Sequence, residues 1–341
     1  MTTPARPPAI SDVARRAGVS VGTVSRVLNG SSQVSERRRA ATVRAIEELG
    51  YRPNQTARAL ASGRHRLVGI LTGDTTEYGF ASTIRGIEDA AAAVGMLATV
   101  ARPRSRSDTD VRAVVDLLLN QPLAGVIGIE FDEQVSRGLA LFPASMPSVS
   151  ASLVGTHHSG LPDAHIDDEL GGRLATDHLL DLGHRTVHHI AVDYPSESGT
   201  GRSYGYRAAL EARGIPVPPI RSSTWEPAAA RVATLALLDD DPTVTALFCF
   251  NDDLAMGAYR ALHERGLRAP EDVSIIGFDD APLSSTVSPT LSTVRMDFGS
   301  LGSSAFDLLA GMLGETAGPP MTDVELPPVL VARESSGPPR A

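Results

Sequence analysis

"VSVGTVSRVLNG", residues 19–30, reads as one short amphipathic helix with punctuation at both ends. Ser20 suits an N-cap and Asn29-Gly30 a stop. Val24, Val27 and Leu28 fall on one face at helical spacing, while Gly22, Ser25 and Arg26 point away from it. That outer face carries no acid, although the 341-residue chain has a formal charge of −9. The charge is unevenly spread. The first 66 residues hold 12 Arg and 4 acids, a balance of +8, and the remainder carries −17. A basic head on an acidic body points to nucleic acid as the partner of the head alone.

The flanks of the quoted stretch are helical too. Ser11 is expected to cap "DVARRAG", with Val13, Ala14 and Ala17 inward and Gly18 ending it. Ser35 is expected to cap a third helix with Val43, Ile46 and Leu49 inward and Gly50 as its stop. Two short helices joined through "GVS" form a helix-turn-helix. Next comes "YRPNQTARALASGRH". Pro53 ends what precedes it, Asn54 can cap the following turn and Gly63 can close it. So short a helix is unstable alone in water, so it reads as a linker, or as a helix that forms against a partner.

From Leu67 the pattern changes. Short apolar runs such as "LVGILT", "GVIGIE", "VHHIAV", "ALFCFND" and "VSIIGFDD" alternate with amphipathic helices. Repeated β-α-β implies parallel sheets covered by helices on both faces, and the number of strands suggests two of them. The expected fold is therefore an all-α helix-turn-helix head plus an α/β core of two parallel-sheet subdomains. Ligands of such sheets sit at the carboxyl ends of strands, where this chain places Asp74, Ser152, Asn251, Asp252, Asp279 and Asp280.

Several functional classes find no support. P-loop, nucleophile-elbow, HExxH and dinucleotide fingerprints are absent from the sequence. The adjacent carboxylates Asp252-Asp253 and Asp279-Asp280 read as one helix cap and one ligand- or solvent-facing group, not as an acid–base pair. With one cysteine, Cys249, and no helical His spacing, neither a disulfide nor a metal site is expected. No catalytic residue and no cofactor are expected either. The N-terminus "MTTPARPPAI" lacks an apolar signal region and no run has the length of a membrane helix, so the expected location is the cytoplasm.

Taken together, "DVARRAGVSVGTVSRVLNG", "VSERRRAATVRAIEELGYRPNQTARALASG", "DHLLDLGHR", "NDDLAMGAYRALHERGLRAPEDVSIIGFDD" and "PTLSTVRMDF" resemble the lactose/galactose repressor (LacI/GalR) family of bacterial transcription regulators, from Ile10 to about Glu334. The resemblance implies a homodimer that binds a palindromic operator, with a core like periplasmic sugar-binding proteins. It assigns residues 1–52 to the DNA-binding domain and 53–66 to a hinge helix and linker. It assigns 67–335 to the effector core, with one subdomain at about 67–165 and 297–322, a second at about 166–293 and 323–335, and 336–341 as a tail.

The resemblance makes the quoted stretch a recognition helix. Val21 and Gly22 would face base edges, Arg26 a guanine or phosphate, and Thr23 and Ser25 phosphates. Ser20, Asn29, Ser35, Tyr51, Asn54 and Ala57 join them at the DNA surface, and Leu60 would wedge into the minor groove. The implied effector is a small molecule, a sugar in many relatives, held by Asp74, Ser152, Ser198, Arg202, Trp225, Asn251 and Asp279. Arg202 and Asp279 can bond hydroxyls, Asn251 can donate and accept, and Trp225 can cover an apolar sugar face. Arg202 carries no helix-capping role in the sequence. Ser152 stands where relatives often carry an acid, and Met296 where a glutamine is frequent. No heptad tail follows the core, so a dimer rather than a tail-linked tetramer is expected. The alternatives are a sugar-binding transport protein, disfavoured by the basic head, and a sugar-processing enzyme, disfavoured by the missing carboxylate motif.

Overall fold

The computed structural model describes residues 6, 8–28, 32–51, 65–153, 160–192, 201–315 and 323–340. The chain divides into two compact units, Met1–His65 and Arg66–Ala341.

The first unit holds three helices, α1 (Ile10–Ala17), α2 (Val21–Leu28) and α3 (Glu36–Leu49). Val13, Ala14, Val24, Ala45 and Tyr51 form its core. Helix α1 starts one residue before the expected cap: Ser11 lies inside it, and Asp12 reaches back to accept from the amide of Ala9 at 2.9 Å. Ser20 behaves as expected, its Oγ accepting from the amide of Thr23 at 3.2 Å. Gly18 and Gly50 end α1 and α3 with φ of 65° and 58°, where a side chain is strained. On α3 the buried positions are Thr42 and Ala45, whereas Val43 is 41% exposed. Threonine is tolerated inside because its hydroxyl donates to the carbonyl of Arg38 at 2.8 Å.

The second unit is built on two parallel sheets. The first contains β1 (Leu67–Thr72), β2 (Leu97–Ala101), β3 (Gly125–Glu130), β4 (Ser148–Ser152), β5 (Asp163–Ile166) and β11 (Asp323–Leu326), in the order β11-β5-β4-β3-β1-β2. The second contains β6 (His188–Val192), β7 (Arg221–Ser223), β8 (Ala246–Cys249) and β9 (Ser274–Ile276), in the order β7-β6-β8-β9. A short antiparallel pair, β10 (Thr293–Arg295) with β12 (Val329–Val331), lies outside both. Strands β1, β3 and β4 are buried on both faces, which explains the near-continuous apolar runs of β1 and β3, whereas β4 alternates serines with Val149 and Ala151. Two of the helices frame the site described below: α7 (Asp168–Asp181) and α8 (Gly201–Ala212). Another, α11 (Phe298–Met312), follows β10 and buries Phe298, Leu301 and Phe306 in the core that includes Val149 and Ile166 of the first sheet.

Two expected boundaries move. Asp323–Leu326 was assigned with the second subdomain but pairs in parallel with β5 at the edge of the first sheet, Val324 opposite Ala164. The expected tail is docked: Ser336 Oγ lies 2.7 Å from Ser292 Oγ, and the amide of Gly337 donates to Ser274 Oγ at 3.0 Å. Among the described residues no helix is long and apolar enough to cross a membrane.

Candidate DNA-reading helix and effector cleft

Helix α2 turns a consistent outer face to solvent. Val21 is 45% exposed, Gly22 and Arg26 are exposed, and Thr23 and Ser25 are half-buried, while Val24 and Val27 hold the helix to its neighbours. No acid lies in α2, and its only charge is Arg26 in the last turn. Ser20 and Ser35 sit exposed before α2 and α3. Tyr51 differs from expectation. It is 9% exposed and packs with Val13, Val24 and Ala45, so its ring fills the head rather than the outer surface. The resemblance placed Tyr51 at the DNA surface, but a large aromatic beside a three-helix core is better buried there. Asn29, Asn54, Ala57 and Leu60 lie outside the described residues.

In the second unit, each sheet reverses its strand order once, between β1 and β3 and between β6 and β8. The carboxyl ends at such points open a crevice. A cavity of about 230 Å³ lies there, with Gly73 and Asp74 after β1, Asp132 and Gln134 after β3, and Trp225 after β7 among its lining residues. Two expected residues, Asp74 and Trp225, therefore come from different sheets to one cavity. Gly73 leaves room for the ends of the Asp132 and Gln134 side chains, which a Cβ there would displace. Asp74 Oδ1 accepts from the amides of Thr76 and Glu77 and from Thr76 Oγ1 at 2.6–3.0 Å. Those donors hold its carboxyl below the ordinary range despite opposing burial, the largest single influence.

Arg202 has a structural role that its sequence context did not announce. It is 5% exposed, and its Nε and Nη2 both lie 3.0 Å from Asp168 Oδ1. Its Nη1 donates to the carbonyl of Phe250 at 2.7 Å and stands 3.7 Å from Asp279 Oδ1. The guanidinium lies between the rings of Phe250 and Phe278, 4.3 and 4.1 Å from their centroids. Helix α8 comes close to α7 because Gly172 has no side chain, since a Cβ there would strike the Arg202 backbone. Behind it, His189 is buried, stacked on Phe248 at 4.4 Å, and kept neutral by desolvation, with its pKa lowered to about 4. Sequence reasoning missed Asp168, Phe250 and Phe278. Asp168 was legible only as a first-turn acid of α7, and its partner lies 34 residues away.

Asp279 lies beside this arginine with φ of 102°, a conformation that a non-glycine residue rarely adopts. Its Oδ1 is buried and has no hydrogen bond. Burial pushes its carboxyl well above the ordinary range, against the pull of Arg202. Buried, unsatisfied and strained carboxyls gather at functional sites. The neighbouring Asp252 holds the loop that carries it: its carboxylate accepts from the Ala281 amide, Ser284 Oγ and Thr293 Oγ1 at 2.6–2.7 Å. Asn251 is tied too, its Oδ1 capping α10 (Asp252–Glu264) through the Leu254 amide at 2.9 Å, which leaves Nδ2 as its donor. The Trp225 ring meets Phe250 edge-on at 5.4 Å and so touches the arginine stack. Of the expected effector residues, Arg202, Asn251, Asp279 and Ser152 are not among the cavity's lining residues. Ser152 is buried and donates to Asp163 Oδ2 at 3.0 Å. Met296 is buried in the same core. Ser198 lies outside the described residues.

A helix-turn-helix head joined to a two-sheet core with a cleft defines a ligand-responsive DNA-binding regulator. Residues 9–54 match the model of bacterial regulatory proteins of the lacI family, and residues 176–336 match a periplasmic binding protein-like domain. The chain is 32% identical over 330 residues to the HTH-type transcriptional regulator GalR of Salmonella typhimurium, covering 96% of this chain and 95% of that one. It is 33% identical over 331 residues to the HTH-type transcriptional repressor PurR of Yersinia pestis, covering 96% of each. Among solved structures, the lac repressor dimer bound to operator and the anti-inducer ONPF superposes with a TM-score of 0.86 at 29% identity, over 97% of this chain and all of that one. The regulator CelR in complex with cellobiose superposes at 0.68 with 31% identity, over 96% of this chain and 99% of that one. The chain belongs to the lacI family of bacterial regulatory proteins and is a DNA-binding transcriptional regulator.

Proposed function

We propose that this protein is a homodimeric, cytoplasmic repressor that reads a palindromic operator with the outer face of α2 and releases or tightens it when a sugar enters the core cleft. The observation that carries the effector site is Asp279: buried, strained, with an oxygen that has no hydrogen bond beside the Arg202 guanidinium. A sugar hydroxyl donating to that oxygen removes the unsatisfied acceptor, and the Arg202 and Asn251 donors meet other hydroxyls. Trp225, half-buried at the cavity edge, supports stacking on an apolar sugar face. CelR, solved with cellobiose, and the lac repressor, solved with ONPF, support this reading from the side of the relatives.

Closure of the cleft around a ligand shifts one sheet against the other, as hinge domains do. Ligand and operator then change each other's affinity reciprocally, by ~1–3 kcal/mol in typical cases. The test is selection of bound sequences from random DNA, followed by operator titration with and without a panel of sugars. A palindromic consensus and a sugar-dependent shift are expected. Equal affinity for a half-site and a full site refutes the dimer, and indifference to every sugar refutes the effector class. Turnover of a glycoside panel checks that the cleft only binds.

A further inference from the structure

The cavity is lined by both carboxylates and arginines. Asp74, Glu77 and Asp132 form the acidic part of the lining, and Arg102, Arg104 and Arg106, from the loop "RPRSR" after β2, form the basic part. The arginines are not equivalent. Arg106 stands 3.8 Å from Asp132. Arg102 is exposed and bonds only the carbonyl of Pro103, at 3.3 Å, among the described residues. Arg104 is exposed and meets no carboxylate among the described residues.

Two guanidinium groups thus meet no carboxylate among the described residues at a ligand cavity, in a part of the chain that carries a charge of −17. Nearby acids are plentiful, and elsewhere in this unit arginines find them: Arg231 with Glu264, Arg213 with Asp177 and Asp181, and Arg333 with Asp280. Beside Asp74, burial raises the Glu77 carboxyl above its ordinary range, and Asp74, Asp253 and Glu226 push it the same way. Charge there is repelled, whereas hydroxyl donors are welcome.

We propose that the effector is an acidic sugar, a hydroxylated ring carrying a carboxylate or a phosphate ester, with its anion held by Arg102 and Arg104 and its hydroxyls turned toward Asp74 and Glu77. Planar guanidinium groups bind both oxyanions in a two-pronged fashion, and a pair of them suits a group with several oxygens. A neutral sugar leaves both arginines without an anion and uses only the carboxylates. The inference rests on the cleft being the effector site.

Calorimetry on the full-length chain tests it, with inorganic phosphate and acetate as probes, because each occupies the anion site whatever the ring stereochemistry. The variants are Arg102→Ser/Arg104→Ser and, as a control for loss of a surface arginine outside the cavity, Arg260→Ser, whose side chain is exposed and does not line it. The basic head also attracts anions, so the comparison between variants isolates the cavity. At least a tenfold loss of anion affinity is expected in the double variant and none in the Arg260 variant. Loss confined to phosphate identifies an ester, and loss confined to acetate a carboxylate. Anion binding that is absent from the parent, or equal in parent and double variant, overturns the inference. The two ideas fail separately: indifference of the operator to all sugars removes the effector reading while leaving the anion measurement intact.

Discussion

Replacing Arg202 by methionine keeps most of the aliphatic volume between Phe250 and Phe278 and removes the guanidinium. Two contacts to Asp168 Oδ1 at 3.0 Å and one to the Phe250 carbonyl at 2.7 Å disappear together. Asp168 is 4% exposed and keeps only the Arg202 backbone amide on its other oxygen, at 2.8 Å. Breaking a buried pair by removing one partner costs about 3–5 kcal/mol, because a buried charge is left behind. That is a large part of a typical domain stability of about 5–15 kcal/mol. Urea unfolding followed by tryptophan fluorescence reads it cleanly, because the single tryptophan, Trp225, belongs to the core and packs on Phe250. The pair Arg202→Met/Asp168→Asn should lose less than the two single changes added, with a coupling on the order of 1–3 kcal/mol. A loss below about 1 kcal/mol without coupling refutes the argument that Arg202 is a structural keystone as well as a ligand donor.

Asp279→Asn should raise core stability at neutral pH, because it removes a carboxyl disfavoured by burial and because asparagine tolerates positive φ. It should also abolish the effector response, so a stability loss above about 1 kcal/mol in the same urea assay counts against this. Burial raises Asp252 to about 6, so the native state holds a proton between about pH 4 and 6 that the unfolded chain has released, and this group alone makes stability rise on acidification. Asp252→Asn removes that gain, and the acid-side loss of stability should steepen by about 1.4 kcal/mol per pH unit in that window, measured by urea midpoints at several pH values. Arg26→Ala should relax operator choice by about 1–3 kcal/mol if the side chain grips a guanine, and an unchanged consensus in a binding-site selection shows that it touches only the backbone.

The architecture was legible because it rests on local signals: period-3.6 faces and glycine stops in the head, and apolar strands between amphipathic helices in the core. What escaped was set by tertiary packing. Val43 and Thr42 are adjacent, and hydrophobicity favours the wrong one, because a threonine hydroxyl can be satisfied by its own helix. Strand β11 was assigned by position in the chain, whereas its place follows from pairing with a strand about 160 residues earlier. Asp74, Trp225, Arg202 and Asp279 were named from the family resemblance. The aromatic sandwich and Asp168 around Arg202 were not, since long-range partners leave no periodic trace in one sequence.

The late arrival of β11 also orders assembly on the ribosome. The whole second sheet with α7–α10 (where α9 is Pro227–Asp240) is encoded in one continuous stretch from Asp168 to Ile276, apart from the docked tail. The first sheet begins earlier in the chain but lacks α11 and its edge strand until Leu326 has been made. At about 5–20 residues per second, those last fifty residues take on the order of 3–10 s. The second sheet therefore has all its strands and flanking helices while the first still lacks α11 and its edge strand, reversing the usual N-to-C order. Nascent chains of increasing length should yield a protease-resistant fragment of the second sheet before one of the first, and the interval is when this protein most needs a chaperone.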